Sequence, residues 1–166
     1  MKKHLLVFMV FAAAVLFFAG CSHYSFSGSL PGYIRTASVP LFQNDTVEPG
    51  IVEDVTDAVS SAIISNGTMK VVGENSADAV VKGTIVNVID EADTFSKDEQ
   101  AKQFRIRIFA SVEFFDRVKN RAIWEEKNLE GWARYEASNT AARDEAKRSA
   151  AKMLAGLIID KTLAGW

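Results

Sequence analysis

The sequence has one cysteine and two histidines among its 166 residues. Cys21 has no second cysteine to pair with, which excludes an intrachain disulfide and a zinc site built from several thiolates. His4 and His23 both precede the region predicted to fold, so a histidine-based metal centre or a Ser-His-Asp triad is not expected. The sequence also has no glycine-rich phosphate loop and no G-x-S-x-G motif. These absences predict a protein without catalytic residues, metal or cofactor.

The charge of the chain argues against a protein that binds nucleic acid. Without Lys2 and Lys3, 17 basic and 21 acidic residues remain, and their difference is a formal charge of −4. A mildly acidic domain is a poor general binder of nucleic acid. No nucleic-acid partner is therefore expected.

The N-terminal residues have the pattern of a secretory signal. Lys2 and Lys3 precede an uncharged run at residues 5–18, and small residues follow it. As a helix this run extends about 21 Å, which is shorter than the roughly 30 Å hydrocarbon layer of a bilayer. Residues 1–20 are therefore predicted to be a cleaved signal peptide.

The end of this signal, Phe18-Ala19-Gly20-Cys21, resembles the lipobox of bacterial lipoproteins. The resemblance implies a diacylglyceryl group on the Cys21 sulfur, cleavage before Cys21, and a third acyl chain such as palmitate on the new amino terminus. Phe18 departs from the usual aliphatic residue. Ser22 stands where an aspartate favours inner-membrane retention, so the outer membrane is expected. The alternative is an ordinary secretory signal followed by a free thiol.

Residues 21–32 are rich in Ser and Gly and predict a short lipid-anchored tether before a domain at residues 33–166. Hydrophobic periodicity predicts helices at residues 49–66 and 140–163 and strands at residues 33–42, 69–72, 79–91, 103–115 and 122–135. Residues 92–102 are predicted to be an exposed loop. The order β-α-β-β-β-β-α indicates an α+β fold with a single mixed or antiparallel sheet of about four to five strands. Each helix has one apolar face, so both are expected to cover the same side of the sheet.

Basic residues on the predicted strands are the candidate binding residues. Lys82, Arg105 and Arg107 are expected on the sheet face that the helices leave open, where they could hold phosphate groups. The alternative is the solvated outer face of a half-buried sheet. Four aromatic residues are expected on the same face and favour a partner surface: Phe109, Phe115, Trp124 and Trp132. Alternation along residues 79–91 places Ile89 with Ile85 on the opposite, helix-covered face.

Acidic residues offer a competing interpretation. Asp90, Glu91 and Asp93 lie together in the sequence, and paired carboxylates can act as general acid and base in a lipid-anchored hydrolase. Such clusters are more commonly solvated surface, and this one lacks the glycine and bidentate glutamate of a calcium loop.

Several short sequence motifs at consistent spacing resemble the LptE family of lipopolysaccharide-assembly lipoproteins. They are Tyr24-Ser25-Phe26, Leu30-Pro31, Ala37 to Pro40, Glu48-Pro49, Ala77-Asp78-Ala79-Val80, Gly83-Thr84-Ile85, Trp124-Glu125 and Gly165-Trp166. The family usually has Gly-Tyr directly after the lipidated cysteine, whereas Ser22-His23 intervene here.

The resemblance implies a non-enzymatic lipoprotein on the periplasmic side of the outer membrane. Such a protein plugs an LptD-type outer-membrane β-barrel, assists the folding of that barrel and contacts lipopolysaccharide during its insertion into the outer leaflet. Lys82, Arg105 and Arg107 are candidates for lipopolysaccharide contact from their pattern alone. A lipoprotein activator of a peptidoglycan synthase, or a component of a secretion pore, is the alternative.

Overall fold

A computed structural model describes residues 30–95, 101–136 and 140–163. Within them the strands are β1 (Thr36–Ser38), β2 (Gln43–Asn44), β3 (Lys70–Val71), β4 (Ala79–Phe95), β5 (Ala101–Asp116) and β6 (Arg121–Glu136). The helices are α1 (Ile51–Asn66) and α2 (Thr140–Leu163), with a 3₁₀ turn at Glu74–Ser76. The α+β class and the element order predicted from the sequence are confirmed.

The sheet is mixed. Its order is β3-β1-β4-β5-β6, with β2 paired to β4 off this path. The strands β4, β5 and β6 form the predicted antiparallel meander, whereas β1 runs parallel to β3 and β4. Of the predicted first strand at residues 33–42 only Thr36–Ser38 pairs, as β1, and β2 follows beyond its predicted end. Pro40 lies in the gap, and it cannot donate a hydrogen bond to a ladder.

Helix α1 buries one apolar stripe and ends as its sequence predicts. Ile51, Val55, Val59 and Ile63 are fully or almost fully buried. The helix stops at Gly67, which has a φ of 72° and donates its N–H to the carbonyl of Ile63. Glycine reaches this left-handed conformation without steric cost.

Helix α2 lies on β5 and β6 and packs against α1, so both helices cover one face of the sheet. Ala150, Leu154 and Ile158 are fully buried against that face. Two apolar residues of α2 are exposed: Met153 is 39% exposed and Leu157 36%.

Extra residues in the long strands change which face a side chain occupies. Ile85 is opposite Ala110 and Asn87 is opposite Phe109, so Val86 is an additional residue in β4. Beyond this bulge Val88 lies opposite the buried Ile108 and Ile89 lies opposite Arg107. The prediction that Ile89 shares the face of Ile85 is therefore wrong.

The same effect relocates Trp124. A register shift between Ala110 and Val112 puts an extra residue in β6, and Trp124 then lies opposite Phe114 on the helix-covered face. Trp124 is only 6% exposed, and its ring centroid is 6.3 Å from that of Phe114. The prediction that Trp124 lies on the open face is wrong. It assumed strict alternation of faces along β6, and the extra residue of the bulge shifts that alternation by one position.

The predicted loop at residues 92–102 is also shorter than expected. Strand β4 continues to Phe95 and β5 begins at Ala101, so much of this segment is paired. Asp93 is the extra residue of a second bulge, and its carboxylate forms ion pairs with Arg105 and Arg134. The charge of Asp93, one of those that suggested a solvated loop, is thus neutralised by arginines of the neighbouring strands.

Candidate functional site: the open face of the sheet

The candidate site is the face of β4, β5 and β6 that the helices do not cover, called the open face below. Directly opposed residues of antiparallel strands share a face. Lys82 is opposite Glu113, Arg107 is opposite Ile89 and Trp132, and Arg105 is opposite Glu91 and Arg134. The structure therefore places all three predicted basic residues on the open face. Phe109, Phe115 and Trp132 lie there as well.

Arg107 is held by carboxylates on both neighbouring strands. Its Nε and Nη2 donate to the two carboxylate oxygens of Glu130 at 2.7 and 2.8 Å. Its Nη1 is 3.5 Å from Glu91, and its guanidinium carbon is 4.9 Å from the Phe109 ring centroid. The hydrogen bond with Glu130 raises the pKa of Arg107, and the same bond lowers the pKa of Glu130. Both groups are therefore charged at neutral pH.

Arg105 and Arg134 share two partners. Both pair with Asp93, and the Arg134 Nε lies 2.5 Å from its carboxylate. Their guanidinium carbons are 4.9 and 5.2 Å from the Trp132 ring centroid. Arg134 was not singled out from the sequence as a binding candidate, although its spacing of two residues from Trp132 places both on one face.

Lys82 lies about 20 Å from Arg107 along the sheet, since Lys82 is opposite Glu113, which is six residues from Arg107 on β5. Its ammonium is 3.7 Å from Glu113 and 4.4 Å from the Phe115 ring centroid, and its side chain is 49% exposed. Lys82 lines a cavity of about 490 Å³. Other polar residues of that cavity are Gln43, Glu74, Thr84, Ser111, Glu113 and Glu125.

The open face carries both cations and carboxylates and is not a basic patch. Register and ion pairs place on it the cations Lys82, Arg105, Arg107 and Arg134 together with the carboxylates Glu91, Asp93, Glu113, Glu125, Glu130 and Glu136. An anionic ligand must therefore compete with a carboxylate for the cation that it binds. Lys82 is the most exposed of the three predicted residues. Its ion pair with Glu113 is also longer than the shortest ion pairs of Arg105 and Arg107, so a ligand can displace the carboxylate from Lys82 most readily.

The acidic cluster is divided between the two faces of the sheet. Asp90 is opposite the buried Ile106 on the helix side, whereas Glu91 is opposite Arg105 on the open face. Arg143 of α2 pairs with Asp90 at 2.6 Å and with Glu48 at 2.8 Å. Asp90 and Glu91 therefore cannot act on the same bond as a general acid and base.

The ion pairs on the helix side join α2 to the start of α1. Hydrogen bonding from Arg143 lowers the pKa of Glu48. Lys147 is 7% exposed and donates to the carbonyl oxygen of Pro49 at 2.9 Å. Burial and a 2.6 Å hydrogen bond to Asp90 raise the pKa of Tyr135 to about 12. These contacts are structural, because they connect elements of the fold.

Residues 30–95, 101–136 and 140–163 contain no group of three or more His, Cys, Asp and Glu side chains able to hold a metal ion. In the same ranges no helix has the length and apolar character needed to cross a bilayer. Cys21, the predicted lipid-attachment residue, lies outside the described residues, as do the predicted signal peptide and most of the tether.

Over residues 34–162 the sequence matches the profile of a protein family, LptE, described as lipopolysaccharide-assembly. This match covers more than half of the 166 residues. The chain belongs to the LptE family. No curated protein matches the LptE-family chain at a significant level.

Solved structures support the fold of this LptE-family chain. Protein XCC0632 from Xanthomonas campestris is 11% identical with a TM-score of 0.57, over 81% of this chain and 90% of that one. A PelC dodecamer from Paraburkholderia phytofirmans is 15% identical with a TM-score of 0.53, over 82% and 92%. A minor lipoprotein from Acinetobacter baumannii is 15% identical with a TM-score of 0.51, over 80% and 92%. At such low identities the likeness extends to the fold alone.

Proposed function

We propose that this chain is a non-enzymatic lipoprotein subunit of the outer-membrane lipopolysaccharide translocon. It plugs an LptD-type β-barrel, assists assembly of that barrel and contacts lipopolysaccharide on its way to the outer leaflet. The observation that carries the proposal is the family match across residues 34–162. The open face supports it, since partly exposed cations beside aromatic rings suit a ligand with phosphate and apolar parts.

Attachment to the membrane is proposed to occur through lipid on Cys21, with residues 1–20 removed and residues 21–32 acting as the tether. Three acyl chains anchor a protein stably without a spanning helix, because each buried methylene contributes about 0.8 kcal/mol. Mass spectrometry of the protein from its native membrane tests this directly. Acyl chains on Cys21 are expected in the native sequence and none in Cys21→Ser, whereas a free Cys21 thiol contradicts the anchor.

Contact with lipopolysaccharide is assigned to Lys82, Arg105 and Arg107. Lys82→Gln removes the cation whose ion pair is easiest to exchange, so it is expected to lower the amount of purified lipopolysaccharide retained per protein. Arg148→Gln is the matched control, because Arg148 is an exposed cation on α2, away from the open face. Equal retention by Lys82→Gln, Arg105→Gln, Arg107→Gln and the control contradicts the assignment.

The barrel partner is tested by purifying a tagged copy in mild detergent from its native membrane and identifying the proteins that accompany it. A large outer-membrane β-barrel at equal stoichiometry is the expected result. A peptidoglycan synthase or the subunits of a secretion pore in its place would instead support the alternative function. Because membrane attachment and barrel binding are measured separately, failure of one does not decide the other.

A further inference from the structure

Met153 occupies an unusual position at the outer edge of the sheet. Strand β6 is the last strand in the sheet order, so one side of its backbone has no strand partner among the described residues. The backbone N–H of Trp132 in β6 donates to the Met153 sulfur at 3.4 Å. A helix residue thus satisfies an edge amide that is otherwise open to water or to another strand.

This contact is easily lost, because a thioether is a weak hydrogen-bond acceptor. The Met153 side chain is also accessible: the residue is 39% exposed, whereas Met69 is 4% exposed. Helix α2 is close to β6 here, since a Cβ added at Gly131 overlaps the carbonyl oxygen of Ala150 and the Leu154 side chain. Met153 therefore lies where α2 meets the edge of β6.

We propose that Met153 is a site of reversible oxidation by small peroxides and that its oxidation opens this edge of the sheet. A lone pair of the Met153 sulfur attacks one oxygen of hydrogen peroxide, and the O–O bond breaks. That oxygen stays on sulfur as a sulfoxide, and the other leaves as water after proton transfer. Sulfur loses two electrons and the peroxide gains them. A methionine sulfoxide reductase reverses the change, because two thiols are oxidised to a disulfide and the sulfoxide oxygen leaves as water.

Sulfoxide formation changes both the size and the polarity of the side chain. The sulfur is already within hydrogen-bond distance of the Trp132 nitrogen, so an oxygen added to the lone pair that faces this nitrogen has no room between the two atoms. We expect the larger and more polar side chain to turn toward solvent, which exposes the Trp132 amide. The polar sulfoxide also packs poorly beside the buried Leu154.

The experiment treats the purified full chain with hydrogen peroxide and follows each methionine by peptide mass spectrometry. Met153 is expected to oxidise much faster than Met69, which serves as an internal control for accessibility. Hydrogen exchange is then measured at the Trp132 amide and is expected to rise after oxidation and to fall again after reductase treatment. Equal oxidation of Met153 and Met69, or unchanged exchange at Trp132, overturns the proposal.

A relocation variant separates the contact at Met153 from general oxidative damage. The double substitution Met153→Leu, Leu157→Met moves the thioether one helical turn along α2 to a position of similar exposure, 36%. There the sulfur no longer occupies the place that contacts the Trp132 amide. Peroxide is therefore expected to leave exchange at Trp132 unchanged, and a rise equal to that of the native chain contradicts the proposal.

Discussion

Asp78 and Thr36 hold each other through reciprocal hydrogen bonds. The Thr36 backbone N–H and hydroxyl donate to the Asp78 carboxylate at 2.9 and 2.8 Å, and the Asp78 backbone N–H donates to the Thr36 hydroxyl at 3.0 Å. The backbone N–H of Arg35 donates to the same carboxylate at 3.0 Å. This last bond is the main reason that the pKa of Asp78 is lowered. One carboxylate thus fixes the start of β4 beside β1.

Asp78→Ala is expected to destabilise the fold, because it leaves the Arg35 and Thr36 backbone donors without their acceptor. The urea midpoint of unfolding, measured by circular dichroism, should fall clearly. Asp57→Ala is the control, because Asp57 is an exposed carboxylate on α1. Similar midpoints for the two variants contradict the importance given to this contact.

Arg143→Met is expected to cost about 2 kcal/mol in the free energy of unfolding, since it removes the charged hydrogen bonds of one partly buried carboxylate and leaves the other with Lys147 alone. Glu48 and Asp90 are the carboxylates affected. Arg148→Met changes an exposed arginine on the same helix and should have little effect. Urea titration of both variants against the native chain gives the comparison, and equal losses would contradict a special role for Arg143.

Glu48→Gln is expected to reduce the acid sensitivity of the fold. The pKa of Glu48 is lowered in the folded state by its hydrogen bond with Arg143, from an ordinary value of 4.5. Its contribution is therefore fully present above the unfolded-state pKa and is lost as pH falls through the folded-state pKa. Unfolding free energies measured from pH 6 down to about pH 3 should fall less steeply in Glu48→Gln. A slope equal to that of the native chain would argue that Glu48 does not contribute.

Gly131→Ala is expected to destabilise the chain by about 2 kcal/mol, because the new methyl group overlaps the Ala150 carbonyl oxygen and forces α2 away from β6. Gly156→Ala is a matched control within α2 itself. A Cβ at Gly156 meets nothing within 4 Å, and alanine in a helix is about 1 kcal/mol more favourable than glycine. Thermal unfolding should therefore shift in opposite directions, and a shift of the same sign in both contradicts this account.

Local sequence patterns determined much of the fold. The stripe of Ile51, Val55, Val59 and Ile63, followed by Gly67, fixes α1, because periodicity and a left-handed cap are properties of neighbouring residues. Helix α2 was predicted with the bounds it has, Thr140–Leu163. The alternation of Arg105 and Arg107 likewise predicted their common face. The family resemblance also came from sequence and agrees with the profile match at residues 34–162.

The tertiary structure alone decided which residues each face finally carries. Bulges at Val86 and within β6 shift the alternation by one residue, so Ile89 faces Arg107 and Trp124 enters the core. A bulge depends on how two strands pair, so its position cannot be read from the residue pattern of a single strand.

The pairing of charges was decided in the same way. Arg107 with Glu130 and Arg143 with Glu48 join residues 23 and 95 positions apart in the chain. The sequence by itself determined the helices, the meander and the candidate cations. Long-range packing determined that carboxylates already hold those cations, because strand register and helix docking set every such distance.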